Sequence, residues 1–113
     1  MGNIDLSYLF TTHHGRIGRG HWWIGAAILF VTWLIISLLF GSDGLISFLL
    51  GFALLFAGIM LHIKRFHDRG KSGWWVLILF VPVIGFIWAI IDLGLLEGTP
   101  GPNEYGPAPA VAR

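Results

Sequence analysis

The side chains best equipped for chemistry sit in one run, Lys64-Arg65-Phe66-His67-Asp68-Arg69-Gly70-Lys71-Ser72-Gly73, followed at once by Trp74 and Trp75. Cations beside indole rings suit anionic lipid headgroups, because each Lys or Arg near such a surface contributes roughly 1 kcal/mol and tryptophan settles at headgroup depth. Asp68 is placed to pair with Arg65 or Lys64 if a helix reaches that far, and Ser72 to cap a helix that follows. The run reads first as a topology-setting, helix-capping loop, and second as a partner- or ligand-binding one through Arg65, His67, Asp68 and Arg69. A second segment, Gly15-Arg16-Ile17-Gly18-Arg19-Gly20-His21-Trp22-Trp23, repeats the logic, with Arg16, Arg19 and Trp22 or Trp23 three or four apart on one helical face. The candidate lipid or partner contacts are therefore Arg16, Arg19, Trp22, Trp23, Arg65, His67, Asp68, Arg69, Lys71, Trp74 and Trp75.

Other chemistries fit poorly. Gly70-Lys71-Ser72 looks like the end of a phosphate-binding loop, but the glycine needed five positions earlier is Arg65, and an apolar run leads in where a strand is required. Of the five histidines, His13 and His14 are adjacent, and His62 and His67 miss the i, i+4 spacing of a helical ligand pair, so no metal site is expected. His21 and His62 read as interfacial side chains at span ends. With no cysteine, disulfides, thiolate nucleophiles and thiolate metal sites are excluded. Asp92 closes an apolar run and is a functional candidate as an ionisable residue at a membrane, although a span-end carboxylate at the outer interface is the simpler reading. No Ser/His/Asp set, paired-carboxylate site or dinucleotide glycine pattern is present, so neither an enzyme nor a cofactor is expected.

The elements that must position these residues are apolar. Runs Trp22 to Phe40, Leu45 to Ile63 and Trp74 to Ile91 carry no charge, and each is about long enough, at ~1.5 Å per helical residue, to cross a ~30 Å hydrocarbon core. Hydrophobic residues make up 56% of the 113 and charged residues 12%, against ~45 to 50% and ~25% in soluble domains. A soluble chain this short could not hide that much apolar surface. The expectation is an all-α membrane protein forming one domain over 1–113, a small bundle of three transmembrane helices (22–40, 45–63 and 74–91) with no room for a nucleic-acid-binding module. Cleavage of the first run as a signal peptide is not expected, since it exceeds a ~7 to 15 residue h-region and no A-x-A type site follows.

Six of the seven Lys and Arg residues precede the first run or join the second to the third. The positive-inside rule then puts the N-terminus in the cytoplasm, and three crossings put the tail after Asp92 outside, with Gly41 to Gly44 as a short outer hairpin. Before the first run, Ile4, Leu6, Tyr8, Leu9 and Phe10 allow a short amphipathic helix on the inner leaflet, with Asn3 as its N-cap. The Gly/Pro-rich tail, 97–113, is expected to be irregular. Pro82, with Gly85 after it, predicts a kink in the third helix. Ala53 with Ala57 and Gly85 with Ala89 are small-xxx-small pairs, read as contacts within the chain ahead of a homo-oligomer seam.

Taken together, the two motif segments resemble the domain of unknown function 805 family, the YhaH-type small bacterial inner-membrane proteins. These often show a GR-x-x-R-x-x-(F/W)W entry and an R-x-HD-x-G-x-SGWW loop. The tail Gly98-Thr99-Pro100-Gly101-Pro102-Asn103-Glu104-Tyr105-Gly106-Pro107 is similar to the family's closing G-x-x-G-x-N-x-YG-x-x-P, so the likeness covers nearly the whole chain. The pattern falls on Gly15, Arg16, Arg19, Trp23, Arg65, His67, Asp68, Gly70, Ser72, Gly73, Trp74, Asn103, Tyr105, Gly106 and Pro107. Glu104 stands where a basic residue is common and Ala108 where an acidic one is common. The resemblance implies a bacterial inner-membrane location and supplies no catalytic role. The expected function is a non-enzymatic accessory or scaffolding protein with a basic aromatic cytoplasmic face. Its partners would be the lipid bilayer through anionic headgroups, and another membrane protein or a second copy. The alternative is a subunit of a small oligomeric transporter or channel, with Asp92 and the Pro82 to Gly85 break near a polar path. Against it, the run interiors offer little polarity beyond Thr32, Ser37 and Ser47.

Overall fold

The computed structural model describes residues 5–109. A short helix α1 (Leu6–Thr11) leads to two long helices, α2 (Arg19–Phe40) and α3 (Leu45–Asp68). The chain then forms a 3-10 segment (Gly73–Phe80), a tight reversal, helix α4 (Ile84–Trp88) and a π-helical turn (Ala89–Leu95). No strand forms among the described residues, where the one β-type pairing is an isolated bridge between Asn103 and Gly106.

Helices α2 and α3 are each long and apolar enough to cross a membrane. At ~1.5 Å per residue, the 22 residues of α2 extend about 33 Å, enough for the ~30 Å core. Their apolar side chains stay exposed, with Phe30, Trp33, Leu38, Leu45, Phe48 and Phe52 all open to the surroundings. Lipid tails are as apolar as these side chains, so no hydrophobic force drives them inward.

The third apolar run departs from expectation. Trp74 to Ile91 is not one continuous spanning helix but a hairpin folded back on itself at Val81, Pro82 and Val83. Lys71 Nζ lies 2.9 Å from both carboxylate oxygens of Asp92, the Trp75 and Trp88 rings stack at 5.6 Å, and Gly85 packs on the Leu79 carbonyl. These three pairs define an antiparallel register. The anticipated kink at Pro82 is thus a full reversal. Pro82 has no N–H to leave unsatisfied, and the Ile84 N–H donates to the Pro82 carbonyl at 2.7 Å, closing a γ-turn centred on Val83. The φ of 67° at Val83 is rare and strained for a β-branched residue. Gly85 makes the close approach possible, because a Cβ there would stand 2.5 Å from the Leu79 oxygen.

The remaining expectations sort by position. Asn3, proposed as the N-cap of the first helix, lies outside the described residues, and Asp5 caps α1 by accepting from the Tyr8 N–H at 3.1 Å. Helix α1 docks on the end of α3 through buried Leu9. Ser72 occupies the N-cap position of the 3-10 segment but makes no side-chain capping bond. Ala53 is exposed, so the Ala53 and Ala57 pair forms no tight seam inside the chain, whereas Gly85 does.

The core lies at one end. Leu9, Ile17, Trp22, Leu61, Phe66, Val76 and Leu93 form the buried cluster, drawing on α1, the entry to α2, the last turns of α3, the 3-10 segment and the π-helical turn. Every one of these elements also carries or flanks a charged residue.

Candidate functional site

The charged end is built around Asp68, in the last turn of α3. Its side chain is about 1% exposed and pairs with Arg16 at 2.8 Å and Arg65 at 2.5 Å. Arg16 uses its whole fork. Nε and Nη2 reach Asp68 Oδ1, Nη2 also donates to the Thr99 carbonyl at 2.6 Å, and Nη1 donates to the carbonyls of Gly101 and Gly106 at 2.7 and 3.0 Å. All three guanidinium nitrogens are thereby engaged. Arg65 donates to the carbonyls of Leu93 and Leu96, both at 2.7 Å. These two arginines therefore tie the hairpin exit and the tail to the end of α3.

His67 completes the strap. Its Nδ1 faces the Gly15 carbonyl at 3.0 Å, so this nitrogen carries the proton, and its ring lies flat on Tyr105 with centroids 4.0 Å apart. Asn103 donates from Nδ2 to the His67 carbonyl at 2.9 Å and accepts from the Tyr105 N–H at 2.8 Å. The Asn103 to Gly106 turn is thereby presented with its carbonyl toward Arg16. Gly15 is required where the chain crosses Tyr8: its φ is +91°, and a Cβ would collide with the Tyr8 hydroxyl.

Lys64 was expected as an alternative partner of Asp68 and instead turns away. Its Nζ donates to the carbonyls of Leu9, at 2.9 Å, and Thr12, and lies over the Tyr8 ring. The ammonium thus satisfies carbonyls that α1 leaves open at its C-terminus.

A second cluster sits at the hairpin base. Asp92 accepts from Arg69 Nε at 2.9 Å and from Lys71 Nζ at 2.9 Å, and Lys71 also lies over Trp75 and Trp88. Burial pushes the Asp92 carboxyl up, but hydrogen bonds and charge from Lys71 and Arg69 outweigh it, so the group sits below the ordinary aspartate range. The reading of Asp92 as a carboxylate at the outer interface is corrected: it shares an end with Lys71 and Arg69. Sequence reasoning missed this pair, although one signal was present, since Pro82 lies midway between Lys71 and Asp92.

The tail is corrected likewise. Thr99, Gly101 and Gly106 all touch Arg16, so the tail lies at the same end as the entry to α2 and not across the molecule from it. The predicted contact residues then divide. Arg16, Arg65 and Asp68 are buried in the ion-pair core, and His67 is buried beneath the tail, so none of the four offers a free surface. Trp22 is buried with its Nε1 donating to His62 Nδ1 at 2.9 Å, and Trp23 reaches the Gly94 carbonyl at 2.8 Å. Arg19 reaches the Leu95 carbonyl. Arg69, Lys71 and the rings of Trp74 and Trp75 remain at the surface, Trp74 most of all at 78% exposed. Among the described residues no group of three or more His, Asp or Glu is arranged to hold a metal ion.

Comparison with known proteins finds relatives along most of the chain. The chain is 34% identical over 99 residues to the inner membrane protein YhaI of Escherichia coli K12, covering 84% of this chain and 83% of that protein. It is 31% identical over 119 residues to the uncharacterised protein YiiR of the same organism, with 81% and 82% covered. It is 28% identical over 105 residues to the inner membrane protein YhaH, with 86% of each covered. No solved structure matches it. The model of the protein family of unknown function DUF805 matches residues 10–107, which hold both ion-pair clusters and the strap that closes them, and the chain belongs to that family.

Proposed function

We propose that this is a non-enzymatic accessory or scaffolding protein of the bacterial inner membrane, crossing twice and dipping once, with its charged end and both terminal segments in the cytoplasm. The observation that carries this reading is the gathering of Arg16, Arg19, Lys64, Arg65, Arg69 and Lys71 at one end of the molecule, while the opposite turn holds only Asp43. Positive charge retained on the cytoplasmic side sets that orientation. Anionic headgroups meet Arg19, Arg69 and Lys71 beside Trp74 and Trp75, since Arg16 and Arg65 are spent inside the protein. A transporter subunit is less well supported. Asp92 is locked to two cations at the hairpin base, far from the Pro82 turn, and Thr32 and Ser47 are occupied by carbonyls of their own helix or of the adjoining turn.

Single cysteines at Ser42, Ser72 and Ala108, probed with an impermeant thiol reagent on intact cells, test the orientation. Ser42→Cys should label, and the other two should label only after permeabilisation. Labelling of Ala108→Cys together with Ser42→Cys would restore a third crossing, and labelling of Ser72→Cys and Ala108→Cys without Ser42→Cys would invert the protein. Purified protein in proteoliposomes should show no proton or ion flux above empty vesicles. Flux that Asp92→Asn abolishes in a folded protein would favour the transporter.

A further inference from the structure

The hairpin is too short to cross a bilayer. Its 3-10 arm of eight residues rises about 16 Å at ~2.0 Å per residue, roughly half of a ~30 Å hydrocarbon core. Its position along α3 agrees. At the base, Gly73 packs on Ile63, and near the tip, Leu79 and Phe80 share a cleft with Leu54, Leu55 and Gly58. Beyond that level α2 and α3 continue alone to the Gly41 turn. The tip presents Phe80, Val81, Val83, Ile84 and Phe86 outward. Most of its backbone is bonded within the hairpin: the N–H groups of Val81, Ile84, Gly85 and Ile87 donate inside it and Pro82 has none, which lowers the cost of irregular chain at that depth.

The molecule is therefore tapered across the bilayer. The leaflet at the charged end accommodates four packed elements, α2, α3 and both hairpin arms, and the far leaflet only two. Each helix with its side chains fills a disc ~10–12 Å across, so the near leaflet is asked to hold about two discs more. Helix α1 and the strapped tail widen the same end further at headgroup level. We propose that the protein is a leaflet-selective wedge that concentrates in membrane curved so that the leaflet holding its charged end is convex. The partner is the lipid bilayer itself. Added area in one leaflet relative to the other is relieved by bending toward the larger side, and a bilayer already bent that way accepts the wedge with less packing stress.

The inference rests on the membrane-embedded hairpin but not on which side faces the cytoplasm, so the two readings can be tested apart. Full-length protein carrying Ser72→Cys or Ser42→Cys is reconstituted into giant vesicles of phosphatidylethanolamine and phosphatidylglycerol and labelled from outside with an impermeant dye. Ser72→Cys then reports molecules with the charged end outward, and Ser42→Cys those with it inward. In narrow tethers pulled from these vesicles the outer leaflet is convex. The tether-to-body ratio of protein to lipid signal should exceed one for the Ser72 label and fall below one for the Ser42 label. Equal ratios for the two labels would overturn the wedge, as would a reversed pair, and an even spread accompanied by a dimer on detergent sizing would show a second copy filling the narrow half instead of lipid. Release of the protein by alkaline extraction would overturn the embedded reading and the wedge with it.

Discussion

At the scale of single residues the charged end is governed by burial. In a loop at a wet interface a pair made by Asp68 would contribute about 1 kcal/mol or less. It is enclosed instead between Arg16 and Arg65, and removing one partner from a buried ion pair costs about 3 to 5 kcal/mol because an uncompensated charge stays behind. Asp68→Asn should therefore lower the thermal stability of the purified protein sharply and expose the 97–109 tail to protease while membrane insertion persists. An unchanged melting temperature would place the tail's attachment elsewhere. Asp92 gives a pH signature. Its carboxyl is depressed in the folded protein, so the stabilisation is present above the unfolded aspartate value of ~3.9 and is lost as pH falls through the lower folded value. Acid titration followed by Trp75 and Trp88 fluorescence should show the hairpin base opening in that window, and Asp92→Asn should flatten the transition there.

At the scale of elements, the hairpin depends on close backbone approach more than on sequence-wide apolarity. Gly85 sits where any Cβ meets backbone oxygen at 2.5 Å, with the Leu79 carbon and Ile78 oxygen close behind. Backbone on both sides leaves no flexible side chain to yield. Gly85→Ala should separate the arms, weaken the Trp75 and Trp88 stack and lower stability by about 1 to 3 kcal/mol, the usual range for overpacking. Near-ultraviolet circular dichroism with a thermal melt reads both effects, and an unaltered tryptophan signal would show that the reversal does not rely on this glycine. The long helices behave differently. Their exposed faces contact lipid in any arrangement, so conservative apolar exchanges at Phe30 or Leu45 carry little consequence for the fold.

For the whole molecule, the depth of the hairpin tip distinguishes a dip from a crossing. Environment-sensitive dyes at Val83→Cys and Leu95→Cys, quenched by lipids brominated at stepped acyl positions, should report Val83 near the bilayer centre and Leu95 near the same interface as Ser72. A third crossing predicts Leu95 at the opposite interface from Ser72. The concentration of the buried core at one end follows from the solvent. In the apolar layer lipid substitutes for protein neighbours, whereas at the charged end buried polar groups need partners, and α1, α3, the hairpin and the tail together supply them for most of these groups, His21 Nε2 and Trp88 Nε1 excepted.

Much of this was legible in the chain alone. The length and apolarity of α2 and α3 and the clustering of cations follow from residue type and spacing, because a long apolar run satisfies its backbone in lipid as a helix and cations avoid the hydrocarbon; the burial of Arg16, Arg65, His67 and Asp68 does not. The fate of the third apolar run was not. A spanning helix and a folded-back hairpin expose nearly the same apolar surface to lipid, so composition does not separate them. What separates them is a set of contacts distant in sequence: Lys71 and Arg69 with Asp92, and Arg16 with the carbonyls of Thr99, Gly101 and Gly106. Those bonds form only if the chain returns to the end it left, and they decide at which end of the molecule Thr99, Gly101 and Gly106 lie.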